Sequence, residues 1–197
     1  VPYCLEYQQE VKIYEKLIDR SDFNYHIAPH TLELAAMFAV LSRLKPSNKA
    51  DPLTKMKLYN GEEIVEKGLI KKVDIKDLRD EVEDEGMSGI STRFIMKAID
   101  AALADSTKNM ITPIPIRDAL IKQVKEQIVN PDERKYCLQF LQKALHEEYL
   151  SILEKEITKA FVTAYEEQAE SLFNNYLDHA EAYVNNTKVK DRVTSED

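Results

Sequence analysis

All four glycines of this 197-residue chain fall between Gly61 and Gly89, and its last proline is Pro131. Glycine and proline interrupt helices more reliably than any other residues. A chain that drops both, and fills the space with Glu, Lys, Ala, Leu and Gln, is committed to long helices. The expected fold is all-α, mainly helical. One irregular patch surrounds the glycines, with at most a small β-hairpin between about Met56 and Val73.

The pattern divides accordingly. Val1-Pro2-Tyr3 reads as a strand end. A first helix runs from about Leu5 to Asp19, with Val11, Tyr14, Leu17 and Ile18 on its apolar face. Pro29 opens a second, apolar on most faces and so buried, to about Leu44. Asp51-Pro52 is an N-cap and N1 pair for a third helix to about Tyr59. Leu69 to Val73 suggests an edge strand, and Asp74 caps a helix to about Glu83. A further helix ends near Ala104, and another spans about Ile116 to Ile128. From Phe140 to Val184 apolar residues recur at steps of three and four, a helical stripe about 60 Å long at about 1.5 Å per residue. Such a stripe needs partners, or a break that folds it back, with Thr158 and Thr163 the weak points. The tail from Asn185 is polar and expected to fray.

Charge excludes some partners. A net charge of −8 and a pI near 5.2 argue against nucleic acid and against an anionic membrane. Cys4 and Cys137 make neither a disulfide framework nor a metal motif, and suit a reducing cytoplasm. His26, His30, His146 and His179 show no ligand spacing, so no metal site is expected.

One segment carries a chemical signal: Gly86-Met87-Ser88-Gly89-Ile90-Ser91-Thr92-Arg93-Phe94-Ile95-Met96-Lys97-Ala98-Ile99-Asp100. Two glycines and two capping hydroxyls, Ser91 and Thr92, precede an amphipathic helix with an arginine in its first turn. A helix N-terminus is electropositive and favours anions, so a cation there is out of place unless an anion such as phosphate sits between. The other reading is a solvated surface arginine.

This segment closely resembles the PrkA family of bacterial serine protein kinases, which join an AAA+ ATPase domain to a C-terminal region described as kinase-like. So do Glu10-Val11-Lys12-Ile13-Tyr14-Glu15-Lys16-Leu17, Ala28-Pro29-His30-Thr31-Leu32, Leu58-Tyr59-Asn60-Gly61-Glu62-Glu63, Val124-Lys125-Glu126-Gln127-Ile128, Leu153 to Phe161 and Tyr176 to Val184. The resemblance implies the later part of a longer parent, whose upstream AAA+ core would hold ATP and Mg. It implies an AAA+ lid-like helical region at 1–130 and a helical C-terminal region at 131–197. In AAA+ proteins the lid helix carries a sensor arginine, and by resemblance Arg93 is that residue, with Ser91 and Thr92 as cap support. The implied partners are a protein substrate, the upstream core and further copies of the chain.

The residues themselves set limits on this. No Gly-x4-Gly-Lys-Ser/Thr occurs, so the chain alone is expected not to hold ATP tightly. No His-Arg-Asp occurs, and Asp22-Phe23-Asn24 is the nearest approach to Asp-Phe-Gly. Ser106, Ser151 and Ser171 lack a nucleophile elbow. No catalytic residue is assigned, and the chain is expected to be inactive alone. Two functions stay open. One is the lid and helical regulatory or substrate-binding region of an ATP-dependent serine protein kinase. The alternative is a non-catalytic helical interaction module of an AAA+ remodelling or proteolytic ATPase.

Overall fold

The computed structural model describes residues 2–20, 25–66, 69–70, 75–82, 84–104 and 110–185. The elements are α1 (Tyr7–Asp19), β1 (His26–Ile27), α2 (Thr31–Arg43), α3 (Pro52–Tyr59), β2 (Val65–Glu66) and β3 (Leu69–Ile70). After them come α4 (Ile75–Asp80), α5 (Thr92–Ala104), β4 (Met110–Ile111), α6 (Pro113–Gln127) and α7 (Pro131–Gln139). A π-helical turn (Phe140–Ala144) then leads into α8 (Leu145–Asn185). The fold is mainly α. Asp22-Phe23-Asn24, Ser106, Asp74 and the tail beyond Asn185 lie outside the described residues.

The chain forms two compact units, residues 1–148 and 149–197. In the first, α2 is the central helix. Every residue from Leu34 to Leu41 is buried, as its all-round apolar sequence requires. It packs against α1, α3, α5, α6 and the π turn. Asp51 accepts from the Leu53 and Thr54 amides and starts α3 at Pro52, and Asn130 does the same for α7 at Pro131. The hairpin β2–β3 falls inside the irregular patch. A second pairing had no sequence signal: β1 lies parallel to β4, two residues against two, and ties the α1–α2 connection to the α5–α6 connection.

The first helix differs from its apolar pattern. The buried face of α1 is Tyr7, Glu10, Tyr14 and Ile18, while Leu17 is exposed. A glutamate therefore occupies a core position, for a reason given below. Tyr3 is not in a strand; its amide donates to the carbonyl of Gly86 at 2.8 Å.

In the second unit α8 runs unbroken to Asn185, through Thr158 and Thr163. Each of these threonines donates its hydroxyl to the carbonyl four residues back. The helix does not break and fold back, and Phe161, Tyr165, Leu172 and Tyr176 stand exposed along it. The departure from α geometry comes earlier, at Phe140–Ala144, where the extra residue of a π turn buries both Phe140 and Leu141.

Two glycines sit at positive φ in different settings, Gly89 in the loop before α5 and Gly61 in the turn after α3. Gly89 has φ +121°, and a Cβ there would stand 2.7 Å from the carbonyl oxygen of Ser42 and 2.8 Å from Cγ of Arg43. Gly61 has φ +81° but open space around it. Gly89→Ala is expected to cost about 3 kcal/mol, since backbone strain and overpacking act together. Gly61→Ala meets strain alone and should cost about 1 kcal/mol. Urea unfolding of the two variants checks the difference.

Candidate functional site

The N-terminus of α5 is held by a buried ion pair. Arg43, in the last turn of α2, is fully buried, and so nearly is Glu10 of α1. The guanidinium grips the carboxylate with both ends, Nη1 to Oε2 at 2.9 Å and Nη2 to Oε1 at 2.8 Å. Its other donors reach main-chain carbonyls: Nη1 to Cys4 at 2.9 Å and Nε to Ile90 at 3.0 Å. The ring of Tyr3 lies 4.7 Å from the guanidinium carbon. A rigid fork with several fixed donors suits such a site, where a lysine could satisfy only part of it.

Glu10 is saturated in turn. Its Oε1 also accepts from the Tyr14 hydroxyl at 3.0 Å and from Oγ1 of Thr92 at 3.1 Å. One carboxylate thereby ties α1, α2 and α5 together. Burial on its own would raise the Glu10 carboxyl. The hydrogen bonds and charge of Arg43, with the two hydroxyls, overcome that and hold it below its ordinary value. The Tyr14 phenol moves up, through burial first and then the adjacent carboxylate.

The loop itself is clamped to the end of α2. The Ile90 amide donates to Oγ of Ser42 at 2.9 Å, and the Gly86 amide to the carbonyl of Arg43 at 3.3 Å. A second buried pair, Lys55 Nζ to Glu85 Oε2 at 2.6 Å, fixes the loop's other end. Glu85 also accepts from the Lys45 amide, and Lys55 donates to the Lys45 carbonyl.

On this support sits the predicted site. Ser91 is the cap: its carbonyl accepts from the Phe94 and Ile95 amides, and its hydroxyl faces the Phe94 amide at 3.4 Å. Thr92 is the first residue of α5, and its hydroxyl goes to Glu10 rather than to its own helix. Arg93 follows and is exposed. Among the described residues none bonds to it, and no acidic residue lies in the first turn of α5. Ile95, Ala98, Ile99 and Ala102 bury the opposite face, and Gln123 of α6 donates to the Phe94 carbonyl at 3.0 Å. The helix is fixed, and Arg93 projects from its first turn, exposed and bonded to none of the described residues.

Two other features stand apart. A cleft of about 510 Å³ between α1 and the start of α2 is lined by Glu15, Asp19, His30 and Glu33 among apolar neighbours. His30 there has φ +62°, and its Nδ1 lies 2.6 Å from Glu33. Cys137 is buried, which pushes its thiol up to about 11 and leaves it unreactive.

The first unit is thus mainly helical and carries a capped, arginine-bearing helix terminus. Comparison with known proteins gives its family. Residues 53–197 match the family described as the PrkA serine protein kinase C-terminal domain, and residues 1–51 match the PrkA AAA domain. The chain belongs to the PrkA family. It is 40% identical to a Bacillus subtilis (strain 168) protein named ATP-dependent protease PrkA, with all of this chain and 31% of that protein covered. It is 31% identical to an Escherichia coli (strain K12) protein named serine/threonine kinase YeaG, over all of this chain and 31% of that one. The chain thus spans about a third of the length of these relatives. No solved structure matches it significantly.

Arg93 and Thr92 lie in the part matched to the C-terminal domain, whereas Glu10 and Arg43 lie in the part matched to the AAA domain. The hydrogen-bond network joins the two. Sequence reasoning missed Glu10, Arg43, Lys55 and Glu85. The available signal was weak: Tyr7, Glu10 and Tyr14 share a face, and only the aromatic pair marks that face as buried.

The pair makes a prediction of sign. Folded Glu10 binds its proton more weakly than the unfolded chain does. Its contribution is therefore complete above the ordinary Glu value of about 4.3, and is lost as pH falls through the folded-state value. Removing the cation in Arg43→Met leaves burial as the dominant influence, so the carboxyl rises. The variant, about 3–5 kcal/mol weaker at neutral pH, should gain stability as the medium is acidified towards about pH 5. Chemical unfolding between about pH 5 and pH 8 is expected to show a rise on acidification in the variant only.

Proposed function

We propose that the chain supplies the AAA+ lid of a PrkA-type, ATP-dependent serine protein kinase, with Arg93 as its nucleotide-sensing arginine. The lid is the region 1–130, and the helical region 131–197 is regulatory or binds the protein substrate. The observation that carries this is Arg93 itself, a cation bonded to none of the described residues, at the electropositive end of a helix whose first turn is anchored by a buried network. That arrangement fits a phosphate oxygen, which an arginine fork meets with two donors. ATP, with its Mg, would be held by the nucleotide-binding core of the full-length protein, and Arg93 would add one contact to it. The network also supports treating residues 1–130 as a lid, since Glu10 and Arg43 in the AAA-matched part hold the turn that bears Arg93. On this reading the protein is a bacterial, cytoplasmic one, its partners being a protein substrate, the upstream core and further copies of itself, with neither nucleic acid nor membrane among them.

A second reading keeps the same lid but replaces the output. The chain would then be a non-catalytic helical module of an AAA+ remodelling or proteolytic ATPase. The name of the Bacillus subtilis relative favours it. So does the absence from the sequence of any His-Arg-Asp or Asp-Phe-Gly. Incubation of the full-length protein with labelled ATP and a protein substrate separates the two, through phosphate transfer or through substrate cleavage.

Arg93→Ala in the full-length protein is expected to slow ATP hydrolysis about 10²–10³-fold, as the loss of one preorganised transition-state donor does. Melting should barely change, since an exposed side chain contributes roughly within 0.5 kcal/mol. Arg93→Lys should restore only part of the rate, because an ammonium cannot reproduce the fork. Hydrolysis by Arg93→Ala at the parental rate would remove the sensor role. The isolated chain, lacking a P-loop, is expected to show no ATP hydrolysis and no autophosphorylation. Activity in purified chain that a point mutation within it abolishes would refute that.

A further inference from the structure

The side chain of Arg93 is bonded to none of the described residues, so only the backbone of the first turn of α5 sets where its guanidinium begins its reach. The Ile90 amide on Ser42 Oγ and Gln123 on the Phe94 carbonyl help to hold that backbone, and two further tethers tie it to the buried Glu10–Arg43 pair. Arg43 Nε binds the Ile90 carbonyl at 3.0 Å, ahead of the helix. Thr92 Oγ1 binds Glu10 Oε1 at 3.1 Å, on the residue that precedes the arginine. The second tether ends on a group with little freedom. Glu10 is 1% exposed and holds both ends of the Arg43 fork, so it cannot follow a moving Thr92 without stripping a buried cation of its partner. A hydroxyl anchored to such a carboxylate is a stiff stop, whereas a hydroxyl spent on capping its own helix would move with it.

We propose that Glu10 is a positioning residue for Arg93: through the Thr92 hydroxyl it pins the first turn of α5 to α1, and so aims an arginine it does not touch. This rests on the sensor reading of Arg93. Without the tether the turn keeps its holds at Ile90, at the Phe94 carbonyl and at the buried Ile95, but loses the one on the residue that precedes the arginine. Displacement of a transition-state donor by about an ångström is enough to cost a large factor in rate.

Glu10 is a poor probe of its own role, because removing it strands Arg43 and can unfold the chain. Thr92→Val is the better one. It keeps the side-chain shape, deletes the donor, and leaves Glu10 its contacts to Arg43 and Tyr14. The experiment compares the full-length protein with Thr92→Val, Thr92→Ser, Arg93→Ala and the Thr92→Val/Arg93→Ala double variant, measuring kcat and KM for ATP hydrolysis together with melting. Thr92→Val is expected to lower kcat on the order of tenfold, with little change in melting. Thr92→Ser should stay within about twofold of the parent, and the double variant should be no slower than Arg93→Ala. An unimpaired Thr92→Val would overturn the proposal. So would an equal fractional loss in the Arg93→Ala background, since the threonine would then act on the fold and not on the arginine. If Arg93→Ala itself hydrolyses ATP at the parental rate, the sensor reading fails and this inference falls with it. A slow Arg93→Ala beside an unimpaired Thr92→Val would remove the inference alone.

Discussion

Arg43 is a charge placed where the interior has no water to offer, and the first unit is arranged around satisfying it. Its donors meet Glu10, Cys4 and Ile90, which belong to α1, the N-terminal segment and the loop before α5. Moving any of these away leaves a buried cation incompletely paired, a loss of several kcal/mol. A hydrophobic pair of similar volume could match the net stability, so stability alone does not account for an arginine here. What it adds is direction. Apolar packing tolerates small slides between helices, whereas a bidentate pair with two carbonyl contacts fixes both distance and rotation.

The sequence reading succeeded where one residue type decides the outcome. Helicity after Gly89, the Asp51 cap, the buried α2 and the loop-to-helix switch at Ser91 follow from glycine, proline and capping chemistry acting locally. It failed where the decision was tertiary. Arg43 lies in the last turn of α2, where a cation complements the helix dipole and ordinarily stays in water. Glu10, in the first turn of α1, looks equally conventional for the opposite end. Each is a routine surface choice taken singly, and only their meeting across 33 positions makes them a core. The two-residue parallel pairing of β1 with β4 is likewise too short to leave a pattern.

The long stripe of α8 shows a different limit. Periodicity identifies which residues share a face, and that face is present from Phe161 to Val184. Periodicity does not say what lies against it. Between Ala160 and Asn185 there are Glu166, Glu167, Glu170, Asp178 and Glu181, and no lysine or arginine. The segment is therefore both aromatic and acidic, with most of its acids on the side away from the aromatic stripe. This combination disfavours nucleic acid and anionic lipid, and self-pairing through this segment alone would set like charges side by side.

The division of the chain between two family descriptions near residue 52 does not coincide with a division in the fold. Residues 1–148 form one compact unit, and its buried hydrogen-bond network crosses the division. Glu10 meets Thr92, Ser42 meets Ile90, and Arg43 meets both Gly86 and Ile90. A boundary drawn through a buried ion-pair network separates residues that cannot move independently, because each would leave a polar group unsatisfied. Mechanically, α1 and α2 must travel with the N-terminus of α5. If a phosphate on Arg93 shifts that terminus, the displacement reaches α1 through a carboxylate and a hydroxyl, and α2 through a guanidinium. An exposed arginine on an otherwise ordinary amphipathic helix is thereby connected to a body far larger than the turn it occupies.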